Sequence, residues 1–113
     1  MDPIGSEEAP ICQHFQRAAE LLGKRWNTQI IRVLLNGATR FTDLRDAVPP
    51  ISDTLLSDRL KELETQGIIT REVTPSTPVR IDYRLTEQGR DLIGVINELG
   101  AWAERWAAAT APV

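Results

Sequence analysis

The chain has few of the residues from which catalytic, metal and disulfide sites are built. Its 113 residues include one cysteine and one histidine, so neither an intramolecular disulfide nor a zinc site is expected. It also lacks a glycine-rich phosphate loop and the serine, histidine and aspartate set of many hydrolases. The sequence therefore predicts neither an enzyme nor a metal or cofactor site.

Long apolar runs are also missing. None approaches the roughly 20 residues that a helix needs to cross a bilayer, and the first residues lack the basic region and apolar stretch of a signal peptide. The composition, 42% hydrophobic and 26% charged, is typical of an ordinary soluble protein of one domain. We expect a cytoplasmic protein with a single domain over residues 11–110, preceded by a mobile, polar arm at residues 1–10.

A net basic charge, which many polyanion-binding proteins carry, is absent, because the formal net charge is −3. The charge is unevenly distributed, however. Residues 24–84 hold ten basic and eight acidic side chains, whereas the two flanking segments together hold three basic and eight acidic ones. This asymmetry is a hint that the middle of the chain contacts an anion. Ordinary solvated charge explains the same numbers equally well.

Hydrophobic spacing predicts four helices in the first two thirds of the chain. Two of them end near Gly23 and Gly37, a short third runs over about residues 41–48, and a longer fourth over about residues 52–66. Ser52 is suited to cap the fourth helix, because its hydroxyl can accept a hydrogen bond from an unpaired N–H of the first turn. The leucines of the fourth helix share one face, which leaves a polar face with short side chains outward.

A hairpin and a final helix are predicted after these four helices. Residues 79–85 alternate between apolar and polar, which predicts a two-stranded hairpin over about residues 68–85. Thr86 caps a last helix over about residues 86–108. A short helix, a turn and a longer helix with a polar outward face are typical of a helix-turn-helix, and a hairpin directly afterwards is typical of its winged form. The predicted fold is therefore mainly α with a small β-hairpin, a winged helix-turn-helix.

Such a fold predicts a surface for double-stranded DNA. The fourth helix enters the major groove, and the hairpin, or wing, approaches the backbone or the minor groove. The candidate DNA-contacting residues are Arg40, Ser52, Thr54, Ser57, Asp58, Arg59, Lys61 and Arg80. Arg59, at the edge of the polar face, either reaches DNA or pairs with Glu62 or Asp43. Asp53 either helps to cap the fourth helix or contacts DNA.

The apolar stripes of the first and last helices have two interpretations, because they can pack on the protomer's own core or join two copies. A terminal helix with tryptophans and no other domain to cover it favours a homodimer. The residues of this predicted seam are Ile11, Phe15, Leu22, Leu92, Ile96, Leu99, Trp102 and Trp106. Two-fold symmetry would imply a palindromic operator with half-sites about one helical turn, 34–36 Å, apart.

Several runs of residues resemble the HxlR-type family of bacterial winged-helix regulators, within the broader MarR-like class. The resemblance covers about residues 12–106, and its main runs are LGKRW at 22–26, RFTDLR at 40–45, LLSDRLKEL at 55–63 and YRLTEQG at 83–89. It implies a homodimeric, sequence-specific transcription regulator that dimerises through its terminal helices. The chain differs from many relatives in carrying Asp53 and Asp58 at the start of the fourth helix, which puts the base contacts of this helix in question.

Cys12 opens the first predicted helix, where the positive end of the helix dipole stabilises a thiolate. The resemblance implies a cysteine that senses oxidants or electrophiles in some relatives, which makes Cys12 a candidate redox sensor in a repressor. Without a second cysteine in the chain, such a switch needs a bond between chains, a thiol adduct or a sulfenic acid. The other interpretation of Cys12 is a small, half-buried helix residue.

An alternative function is a winged helix that contacts other proteins and no DNA, since this fold serves both roles. The feature that discriminates the two is whether Arg40, Arg59, Lys61 and Arg80 lie on one surface while the acidic residues turn away.

Overall fold

The computed structural model describes residues 12–110, with the side chains described as far as residue 107. Six helices and two strands follow one another within this range: α1 (Gln13–Gly23), α2 (Asn27–Leu35), α3 (Phe41–Ala47), α4 (Asp53–Thr65), β1 (Ile69–Thr74), β2 (Arg80–Leu85), α5 (Glu87–Arg90) and α6 (Ile93–Thr110). This order confirms the predicted winged helix-turn-helix. The predicted arm at residues 1–10 lies outside the described residues, as does Ile11.

The core is formed by the apolar faces of α2, α3 and α4 and the base of the hairpin. The side chains of Ile30, Leu44, Leu56 and Leu63 are fully buried, and Leu60 is 1% exposed. Complete burial of each such side chain stabilises the fold by roughly 1.5–3 kcal/mol. The leucine stripe that predicted α4 is therefore the face by which this helix is fixed to the rest of the domain.

The ends of α4 follow the capping residues in the sequence. The hydroxyl of Ser52 accepts a hydrogen bond of 3.1 Å from the backbone N–H of Leu55. After the helix, Gly67 has a φ of +80°, a left-handed conformation that residues with a Cβ rarely adopt. Both predicted helix boundaries are confirmed, and the exposed face of α4 is held between them.

The wing is an antiparallel pair of strands, with Ile69 opposite Leu85 at its base and Thr74 opposite Arg80 near its tip. The base of the wing is attached to the segment before α3. The backbone N–H of Tyr83 donates to the carbonyl of Thr39 at 2.8 Å. The wing is therefore placed directly beside the start of the helix-turn-helix.

The C-terminal part differs from the single helix predicted over residues 86–108, since a short helix, α5, is separated from the long helix α6. Thr86 caps α5 by accepting from the N–H of Gly89 at 3.0 Å, and its hydroxyl donates to the carbonyl of Gly67 at 2.6 Å. Arg90 also donates to the carbonyl of Leu85 at 2.7 Å. These bonds hold α5 against the base of the wing. The apolar spacing continues through both helices, which is why periodicity did not reveal the break.

No helix within residues 12–110 is long and apolar enough to cross a membrane.

Candidate nucleic-acid interface

The outward face of α4 is polar and exposed. Thr54, Ser57, Asp58 and Lys61 are all exposed, whereas the leucines of the same helix are buried. This face carries both hydroxyl and charged groups, which can donate to or accept from base edges in a major groove. The hydroxyl of Ser52 accepts from the helix backbone, so its first role is that of a cap.

Arg59 differs from the other candidates, because its guanidinium is bound within the protein. Its side chain is 14% exposed, its Nε donates to the carbonyl of Arg25 at 2.9 Å, and Nη1 lies 3.6 Å from Oε1 of Glu62. Of the two interpretations offered for Arg59, the pairing with Glu62 is the one that the structure has. The Arg59 guanidinium is therefore engaged by Arg25 and Glu62 in the protein without DNA. Its predicted contact with DNA stays a prediction.

The turn between α3 and α4 is bridged by an ion pair. Nη1 of Arg45, in the last turn of α3, lies 3.3 Å from Oδ1 of Asp53, in the first turn of α4. The Asp53 carboxylate, through its hydrogen bond and its charge, raises the pKa of Arg45 above its ordinary value. Part of the negative charge that Asp53 brings to this surface is therefore offset by Arg45.

A carboxylate in the middle of the wing, that of Asp82, holds the side chain of Arg80, one of the candidate DNA-contacting residues. Asp82 is 4% exposed, and its Oδ2 accepts from Nε of Arg80 at 2.8 Å. The hydroxyl of Thr39 donates to Oδ1 of Asp82, also at 2.8 Å. The hydrogen bonds from Arg80 and Thr39 hold the pKa of Asp82 below its ordinary value. Asp82 is therefore an anion at neutral pH that fixes Arg80 on one side of the wing.

The contacts of Asp82 also bring two candidate DNA-contacting arginines to the same part of the molecule. Arg40 is exposed and directly follows Thr39, and Thr39 and Arg80 share the Asp82 carboxylate. Sequence reasoning missed Thr39 and Asp82, because an aspartate in an alternating strand carries no sign of being buried. Lys61 lies on α4, in a groove whose lining also includes acidic residues, so basic and acidic groups are mixed there.

The predicted dimer seam divides into two sets. Ile96 is 4% exposed and belongs to the protomer's own core, against which Leu22 and Leu92 also pack. These three side chains therefore pack within the protomer, with Ile96 buried and Leu22 and Leu92 partly buried. Their part in a dimer seam stays a prediction. The other set lies outward: Phe15 is 67% exposed, Trp102 57%, and Leu99 and Trp106 49% each. An apolar strip of α1 and α6 is therefore at the surface, and we call these four residues the apolar strip.

Cys12 immediately precedes α1 in extended backbone conformation, and it is an exposed free cysteine. Its predicted position at the start of the first helix is confirmed, and the half-buried alternative is wrong. His14 is exposed as well. Within the described residues no three histidine, cysteine or acidic side chains are grouped as a metal site would require.

The capped helix-turn-helix, the attached wing and the polar face of α4 define a winged helix-turn-helix protein. Comparison with known proteins then identifies the group to which it is related. The chain belongs to the HxlR-like helix-turn-helix family, whose model matches residues 21–111. It is a transcriptional regulator of the HxlR and MarR type, and its homologues are regulators with a DNA-binding helix-turn-helix fold, not enzymes.

Two relatives illustrate this family. The HTH-type transcriptional regulator YvaP of Bacillus subtilis (strain 168) is 43% identical over 99 residues, which cover 88% of this chain and 92% of YvaP. The regulator YodB of the same organism is 46% identical over 96 residues, 85% of this chain and 86% of YodB.

Solved structures agree with this relationship. Reduced YodB has a TM-score of 0.77 at 45% identity, covering 86% of this chain and 95% of that chain, and a quinone-bound form of YodB has a TM-score of 0.73 at 42% identity, covering 84% and 99%. The redox regulator HypR in its reduced form has a TM-score of 0.78 at 30% identity, covering 83% and 93%.

Proposed function

We propose that the protein acts as a homodimer that binds a palindromic operator in double-stranded DNA. The observation that carries this proposal is the exposure of the large apolar side chains of the apolar strip, because exposed apolar surface beyond scattered single residues is characteristic of an interaction site. A second copy is a suitable partner, since a two-fold interface places identical strips against each other. The two copies of α4 then face two half-sites of one DNA molecule.

On each half-site, α4 supplies the base contacts and the loops beside it supply phosphate contacts. Thr54 and Ser57 are exposed on α4 and suited to contact base edges in the major groove. Lys61 is exposed on the same face and binds a phosphate beside the groove. Asp58, on the same face, is suited to accept from the N4 amino group of cytosine. Arg40 and Arg80 bind phosphates, which contribute affinity without sequence preference.

Cys12 makes the proposed regulator responsive to electrophiles and oxidants. One of the related structures is quinone-bound YodB, and another is the redox regulator HypR. With a quinone, the Cys12 thiolate forms a bond from Sγ to a ring carbon. The ring accepts the electron pair and then protons, which yields a hydroquinone thioether without any further oxidant. Because Cys12 lies beside α1, which carries Phe15 of the apolar strip, the adduct disturbs the dimer and releases the operator, as expected of a repressor.

Dimerisation is tested by light scattering after size-exclusion chromatography, using Leu99→Glu. Leu99 is 49% exposed in the apolar strip, and Val79, which is 56% exposed on the wing, provides the matched control Val79→Glu. We expect the parent and Val79→Glu to have twice the mass of the 12.6 kDa chain, and Leu99→Glu to be monomeric. A monomeric parent, or a Leu99→Glu protein that is as dimeric as the parent, would contradict the proposal.

The role of Cys12 is tested with Cys12→Ser and a simple benzoquinone. Mass spectrometry should find one adduct per parent chain and none on the variant, and the adduct should release DNA from the parent alone. A Cys12→Ser protein that loses DNA on quinone treatment to the same extent would show that the response lies elsewhere.

A further inference from the structure

The turn between α1 and α2 is bound to α4, the helix that we expect to enter the major groove. Two side chains of α4 form these contacts. Nε of Arg59 donates to the carbonyl of Arg25 at 2.9 Å, and Nζ of Lys24 donates to Oε2 of Glu62 at 2.5 Å. Arg59 and Glu62 also form the ion pair described above. We call these four residues the α1–α4 clasp. It joins segments that are 34 and 38 residues apart in the chain.

The backbone at the clasp is held in an unfavourable conformation. Trp26 has a φ of +80°, and it is the one residue other than glycine with a positive φ within residues 12–110. Such conformations persist where surrounding contacts determine them, and they cluster at functional and switching segments. Arg25 lies over the Trp26 ring at 4.7 Å, and the buried Asn27 donates to the carbonyl of Leu21 at 2.8 Å. The turn is therefore fixed from α1, from its own side chains and from α4.

The clasp lies beside the DNA-facing side of α4. A groove of about 610 Å³ between α1 and α4 is lined by Lys24, Arg59 and Glu62 of the clasp and also by Asp58 and Lys61. Asp58 and Lys61 are the exposed residues that we propose to contact DNA. The clasp therefore lies next to the two side chains of α4 that we propose to contact DNA.

We propose that Arg59 and Glu62 are positioning residues for DNA recognition, because they fix α4 against the α1–α2 turn at the orientation in which its outward face fits the operator. This inference rests on the proposed function, in which α4 reads the operator. Neither side chain needs to touch DNA. Lys24 and Arg25 directly follow α1, which begins beside Cys12, so the clasp also joins the end of α1 to α4.

Glu62→Gln is the most informative substitution. The hydrogen bond from Lys24 holds the pKa of Glu62 below its ordinary value, so the wild-type side chain is an anion at neutral pH. The variant removes a negative charge on α4, which on electrostatic grounds alone strengthens binding to polyanionic DNA. If the clasp positions α4, the same variant weakens specific binding. The two mechanisms therefore predict opposite signs.

The experiment uses fluorescence anisotropy with a duplex that the wild-type protein has selected from random sequences and with a scrambled duplex. For Glu62→Gln and Arg59→Lys we expect at least a tenfold loss of affinity for the selected duplex and no loss for the scrambled one. Lys61→Met, the control on the same helix, should weaken binding to both duplexes and lower the salt dependence. The indole N–H resonance of Trp26, assigned with Trp26→Phe, should shift in the two clasp variants and stay unchanged in Lys61→Met.

The outcomes distinguish a failure of the proposed function from a failure of the positioning inference. If the wild-type protein selects no sequence, the proposed function fails. If it selects one and Glu62→Gln binds it at least as tightly as the wild type, the positioning inference is overturned. Equal losses on the selected and scrambled duplexes for Arg59→Lys, with Glu62→Gln unaffected, would assign Arg59 to direct phosphate contact instead.

Discussion

Gly89 is the position at which a single methyl group should disturb the attachment of the wing most strongly. A Cβ added there would lie 2.2 Å from the carbonyl oxygen of Ile68 and 2.9 Å from Cδ2 of Leu85. The first of these atoms belongs to the backbone and cannot rotate away. The carbonyl of Ile68 also accepts from the backbone N–H of Thr86 at 2.9 Å, so Gly89→Ala must displace either this hydrogen bond or α5.

The expected loss of stability in Gly89→Ala is the sum of two costs, the overpacking around the new methyl group and the loss of a hydrogen bond. Overpacking of a filled core costs typically about 1–3 kcal/mol, and the loss of one hydrogen bond costs about 0.5–1.5 kcal/mol. We therefore expect Gly89→Ala to lower the free energy of unfolding by roughly 2–4 kcal/mol. At about 4–8 °C per kcal/mol for a small domain, the melting temperature falls by roughly 8–32 °C.

The assay is urea and thermal denaturation followed by circular dichroism at one fixed protein concentration, because dimerisation makes stability depend on concentration. Gly94→Ala is the matched control, since a Cβ at Gly94 in α6 meets nothing within 4 Å and alanine is the better helix residue. Its stability should be equal to or higher than that of the parent. If Gly89→Ala unfolds within a few tenths of a kcal/mol of the parent, the account of how the wing is attached is wrong.

Two further predictions concern charged residues. Because Asp82 has a folded-state pKa below its ordinary value, it stabilises the fold above about pH 4 and this contribution is lost as the pH falls through the folded-state pKa. Urea denaturation of Asp82→Asn should show lower stability than the parent at pH 7 and a smaller loss on acidification; an unchanged pH profile would contradict this. For Lys61→Met, the slope of log affinity against log salt should fall by about 0.9, as expected for one lost phosphate contact; an unchanged slope in anisotropy titrations would exclude that contact.

Local features of the fold could be predicted because their causes lie close together in the sequence. The leucine spacing of α4, the Ser52 cap and the turn between the two strands each depend on a few neighbouring residues. The break after α5 could not be predicted in this way. It depends on hydrogen bonds from Thr86 and Arg90 to the base of the wing, while the apolar spacing on either side is continuous.

The candidate site was less predictable, because periodicity identifies a face but not what covers it. Ile96 and Leu99 belong to the same predicted stripe, yet the first is in the protomer's core and the second is at the surface. Arg59 binds a carbonyl 34 residues away, and Asp82 is buried through contacts with Thr39, 43 residues distant. Such partners are determined by tertiary structure, and no local sequence pattern predicts them.

The central claim, that a symmetric dimer presents two copies of α4 to DNA, is tested most directly by selecting binding sites from random duplexes with the wild-type protein. We predict a palindromic consensus whose half-sites are separated, centre to centre, by about 10–10.5 base pairs or a multiple of that spacing. Enrichment of a single asymmetric site, or no enrichment at low salt, would contradict the claim.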